Sequence, residues 1–69
     1  MNEGAILTEI EKIRVSSKMD RDEVYNLTKR VKNWEIKDYH ALIGELRKFS
    51  KIAERYSESD LKNIFYNLF

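Results

Sequence analysis

Between Asp38 and Tyr56 the chain reads DYHALIGELRKFSKIAERY, and Tyr39, Leu42, Leu46, Phe49, Ala53 and Tyr56 recur there at alternating steps of three and four. That spacing places all six on one face of an α-helix, with Ile43 and Ile52 widening the face on its two flanks. At 1.5 Å per residue the stretch makes a rod of roughly 28 Å, about the diameter of a small domain. Asp38 is its expected N-cap. The other segments are expected to pack around this rod.

Three further amphipathic helices are predicted. The first covers about residues 3–16, with Asn2 as N-cap and Ile6, Leu7, Ile10 and Ile13 as its apolar face. A rival start lies at Thr8, where T-x-x-E with Glu11 matches a capping box. Val15 falls off the stripe, and Ser16-Ser17 continue a helix poorly. The second helix is predicted over 20–34. Asp20 and Glu23 have capping-box spacing, Met19 and Val24 have the placement of a hydrophobic staple, and Val24, Leu27, Val31 and Trp34 form one stripe. Its acidic residues gather at the N-terminal end and its basic ones at the C-terminal end, as the helix dipole favours. After the rod, Ser57 and Asp60 mark the start of a fourth helix over 58–69, with Leu61, Ile64, Phe65, Leu68 and Phe69 in register and Tyr56 placed to staple onto Leu61. The link between these last two helices is so short that the chain must turn sharply there or continue as one bent helix.

The expected fold is therefore all-α: a single helical domain, residues 1–69, forming a compact four-helix array or bundle around a long third helix. Sixty-nine residues bury only about 60% of the unfolded chain's surface, so such a core is marginal alone. The chain has no Cys and one His, which removes disulfides and the usual zinc ligand sets as reinforcement. Self-association, or unusually regular helix packing, is what remains. The opening Met-Asn-Glu-Gly lacks the basic and apolar segments of a signal peptide, and a cytoplasmic, non-membrane protein is expected.

No residue pattern points to catalysis. His40 lies on the polar side of the rod near Asp38, but no serine sits on a strained turn or a Gly-rich elbow. Asp20, Asp22 and Glu23 lack the spacing and turn glycine of a calcium loop, and no glycine loop cradles a phosphate. No enzyme activity, cofactor, metal or small-molecule substrate is expected. Trp34, Tyr39, Phe49 and Tyr56 fall on apolar stripes and are expected in the core, leaving Tyr25 and Tyr66 off them.

Two binding readings stand. Residues 63–69, NIFYNLF, carry no charged side chain, and Phe65, Leu68 and Phe69 are the expected interface of a small regulatory module that forms a homodimer or docks another protein. The alternative is a DNA- or RNA-binding protein using Arg47, Lys48, Lys51 and Arg55 on the rod's basic face. Gly44 on that face would permit close approach of a backbone, or mark a tight helix crossing. The 13 basic and 12 acidic side chains, a net charge of +1, lack the imbalance usual in nucleic-acid binders.

Overall fold

A computed structural model describes all 69 residues. Its elements are α1 Glu3–Ser16, α2 Arg21–Lys32, α3 Tyr39–Arg47, α4 Ser50–Arg55 and α5 Glu58–Phe65, followed by a single 3-10 turn, Tyr66–Leu68. The protein is all-α, as expected. No helix is long and apolar enough to cross a membrane.

Local signals set most of the helix starts. The Asn2 side chain accepts a hydrogen bond from the Ala5 N–H at 3.1 Å, and Asp38 accepts one from Ala41 at 3.0 Å. Ser57 and Asp60 form a complete capping box: the Asp60 N–H donates to Ser57 Oγ at 3.0 Å, and the Ser57 N–H donates to Asp60 Oδ2 at 2.9 Å. Each satisfies an N–H that the helix itself leaves unpaired. Asp20 stands at the N-cap position of α2 without such a bond; Met19 and Val24 are both buried there. The rival start at Thr8 lies inside α1, where the hydroxyl donates back to the Gly4 carbonyl.

The rod does not exist as one helix. Lys48 and Phe49 donate their N–H groups to Glu45 and Leu46, a three-residue step that ends α3, and Phe49 then takes an extended conformation (φ −81°, ψ 117°) before α4 begins. Burial explains the break. On a straight helix Ile43 and Ile52 lie nine residues apart, so at about 100° per residue their side chains would point about 180° away from each other. Both are buried, at 3% and 0% exposure. Bending the chain between them brings both flanks onto one core with Leu42 and Leu46, and the other four residues of the stripe, Tyr39, Phe49, Ala53 and Tyr56, become only half-buried. Tyr56 is extended in turn, so the rod's second half does not run on into α5.

The second helix also ends earlier than its pattern suggests. After Lys32, Asn33 closes the helix, and Trp34 takes the left-handed conformation (φ 61°). The Trp34 N–H donates to Val31 O at 3.2 Å and the Glu35 N–H to Arg30 O at 2.9 Å. This is the paired arrangement of a Schellman terminus. The turn sends Ile36 into the core at 2% exposure and leaves Trp34 54% exposed, reversing the expectation for Trp34. The end of α1 repeats the device: Lys18 (φ 57°) donates to Val15 O and Met19 to Arg14 O, both at 3.0 Å.

Fourteen buried side chains form one core, supplied by every α-helix and by the turns at Met19 and Ile36. The main packing partners of α1 are α2, α5 and the 3-10 turn, while α3 packs on α4 and α5. The joining role assigned to the rod therefore belongs to α5, which contacts both groups. A hydrogen bond from the Asn2 N–H to Leu68 O, 2.7 Å, ties the two ends of the chain. The Cα radius of gyration is 10.7 Å, against about 11 Å for a typical domain of this length. The accessible surface is 4472 Å², against about 4,600 Å² for a monomer of this mass. The chain closes its own core without a second copy.

Candidate functional site

Phe65 is fully buried, and it is the largest side chain in the protein to be so. Leu68 and Phe69 are half-buried and pack against the same core. Of the three residues expected at an interface, Phe65 is thus committed to the protein's own interior. Tyr66 is the aromatic that this end presents, at 55% exposure.

The four basic residues of the rod do not share one face. The break at Phe49 leaves Arg47 on α3 and Lys48 at its end, and carboxylates meet both. Arg47 lies 4.0 Å from Glu58, and Lys48 lies 3.2 Å from Glu45. Glu45 also meets Arg30 of α2 at 3.2 Å. The Lys48 hydrogen bond, helped by the charge of Arg30, holds the Glu45 carboxyl below the usual range. Gly44 sits in no tight crossing: a methyl group there would meet nothing within 4 Å.

Lys51 and Arg55 on α4 are placed differently. They line a cleft with Ser16, Ser17 and Lys18 at the end of α1, and Glu54 is the one carboxylate among them. Lys51 Nζ donates to Lys18 O at 3.4 Å. None of the three cations has an acidic partner within 4.0 Å. Ser16 and Tyr56 join the two helices beneath them through a hydroxyl–hydroxyl contact of 2.5 Å, and Ser16 also donates to Ile13 O. Ser17 is more than nine-tenths buried, and its Oγ is the protein's only buried side-chain polar atom with no hydrogen-bond partner.

Other chemistry-bearing groups are occupied locally. His40 is exposed, its ring 4.1 Å from that of Tyr39, and the Asp38 carboxylate caps α3. Arg14 holds Glu11 in a two-pronged pair of 2.9 and 2.5 Å and donates to Met19 O at 2.8 Å. The hydrogen bonds to Arg14 hold the Glu11 carboxyl below its usual range and raise the guanidinium in return. Four shallow depressions mark the surface, one between Glu11, Arg14, Arg21, Val24, Tyr25 and Thr28.

Sequence reasoning missed Trp34 and Lys18. A bulky residue at positive φ is an outlier, because the side chain crowds the following carbonyl at a cost of about 1–2 kcal/mol. The signals for the two turns were present but faint: Ser16-Ser17 before Lys18, Asn33 before Trp34, and an apolar residue, Met19 or Ile36, just beyond each. Neither protein-family models nor curated proteins nor solved structures give a match to this chain.

Proposed function

We propose that this protein is a non-enzymatic interaction module that self-associates through the surface around Trp34. Trp34 carries the reading. It is the only tryptophan, it is more than half exposed, and its backbone stands in a conformation that costs free energy. Tryptophan is the residue type most enriched among the dominant contacts of protein interfaces. Two backbone hydrogen bonds of the helix terminus fix the segment that bears it, so little backbone order remains to be imposed on binding. Lys32, Glu35 and Lys37 beside it are exposed, supplying the polar rim that surrounds such an anchor.

Because the chain closes its own core, association serves recognition and not folding. A net charge of only +1 offers little long-range repulsion between copies. The single tryptophan reports on the test directly. Its emission should shift to the blue as protein concentration rises, in step with a mass increase in sedimentation. Trp34→Ala should remain a monomer with an unchanged far-UV circular dichroism spectrum. A wild-type protein that stays monomeric with concentration-independent emission would overturn the reading, and so would a dimer unaffected by Trp34→Ala.

A further inference from the structure

We propose that the cleft between the end of α1 and α4 is a binding site for a phosphomonoester group carried by a small molecule. The cleft brings Lys18, in the turn that ends α1, together with Lys51 and Arg55 of α4, far apart in sequence, with Glu54 as the one opposing charge. Three cations against one carboxylate leave a net of +2, which matches the charge of about −1.5 to −2 on a phosphomonoester near neutral pH. The Lys51 ammonium gives one of its three N–H groups to Lys18 O and keeps two, and the Arg55 guanidinium is in no ion pair, so the donors that suit phosphate oxygens are free.

The two serines of the lining offer no free hydroxyl to a ligand: Ser17 Oγ is closed off from solvent, and the Ser16 hydroxyl is already engaged by Ile13 O and Tyr56. Recognition rests on the three cations, none of which has an acidic partner within 4.0 Å. A polymer backbone fits less well. Arg47 and Lys48, which would extend the positive track along α3, face Glu58 and Glu45 instead, and a track of that kind is what polyanion binding requires. The site shares no residue with the Trp34 surface, and the two readings stand or fall separately.

The test is a nitrogen–proton NMR titration of the full chain with phenyl phosphate, and in parallel with an oligothymidylate lacking terminal phosphates. Saturable shifts centred on residues 16–18 and 51–55, stronger for phenyl phosphate, are the expected result. Lys51→Gln with Arg55→Gln should weaken binding by about tenfold per charge removed while the spectrum elsewhere is unchanged, since both side chains are exposed. Lys18→Gln should weaken binding to a similar degree, whereas Ser17→Ala should leave it unchanged, because the Ser17 hydroxyl is closed off from the ligand. No saturable shift with phenyl phosphate, tighter binding of the oligonucleotide, or undiminished binding by the double variant would each overturn the proposal.

Discussion

Replacing Phe65 tests both the fold and the assignment of the C-terminal segment. The side chain is completely buried on α5, the helix that joins α1 to α3. Removing a buried phenyl ring loses its transfer free energy and leaves a cavity that the surroundings fill only in part, a cost of about 3–5 kcal/mol. At about 0.05–0.15 kcal/mol per residue a chain of this length has a total stability of roughly 3.5–10 kcal/mol. Phe65→Ala should therefore remove between a third of the stability and all of it. Phe65→Leu keeps most of the volume and should cost about 1–1.5 kcal/mol. With an unfolding entropy of about 2.1 cal/mol/K per residue, that corresponds to a fall in Tm of roughly 7–10 °C.

Urea unfolding followed by far-UV circular dichroism, at two protein concentrations tenfold or more apart, separates the possibilities. A core Phe65 predicts a large loss in Phe65→Ala that does not depend on concentration. Self-association through Trp34 would raise the midpoints of wild type and variant alike with concentration; were Phe65 instead buried against a second copy, the rise would be present in wild type and lost in the variant. A loss under about 1 kcal/mol, or a concentration-dependent one, would refute the packing argument.

Gly44 lies inside α3 with open space where a Cβ would stand, so Gly44→Ala should raise stability by about 0.5–1 kcal/mol, read as a higher urea midpoint. Lys18→Gly should give a similar gain by relieving the positive φ, and a loss there would show that the Lys18 side chain contributes more than the backbone costs. At Asp60 the Ser57 backbone N–H, then the Ser57 side chain, favour the ionised form and hold the carboxyl below its ordinary value of 3.8. A folded pKa below the unfolded one contributes stability that is complete above the unfolded value and disappears as pH falls through the folded one. The difference between wild type and Asp60→Asn, measured by thermal unfolding from neutral to acid pH, should therefore shrink below the aspartate range, and a pH-independent difference would exclude the linkage.

The features legible in the sequence are those decided within one turn of helix. The caps at Asn2, Asp38 and Ser57 are three-residue patterns whose hydrogen bonds form locally, and α1 spans the residues its pattern assigns. The break at Phe49 is different. Six residues at helical spacing argue for continuity, and only the demand that Ile43 and Ile52 share a core argues against it; that demand exists only once α1 and α5 are in place. Trp34 and Ile36 competed for the same end of α2, and a one-dimensional stripe cannot decide between them. The candidate cleft was half legible. Lys51 and Arg55 stood out as neighbouring bases on α4, but Lys18 comes from the turn after α1, more than thirty residues earlier, and no spacing rule connects them.

The placement of glycine ties these observations together. The left-handed position that ends α1 and the one that ends α2 are where glycine costs least. The chain has two glycines and uses neither there: Gly4 lies in the first turn of α1 and Gly44 inside α3, where it weakens the helix. The left-handed positions hold Lys18 and Trp34 instead. Local preference is thus inverted at two points, and these are the points from which a cation enters the cleft and an indole reaches solvent. Sequences that agree with their fold elsewhere tend to break local rules where a side chain is needed for something other than stability. Glycine at either position would suit the backbone and erase the side chain, so each substitution should exchange binding for stability. A variant that gained stability at Trp34 or Lys18 and kept full self-association or phosphate binding would break that connection.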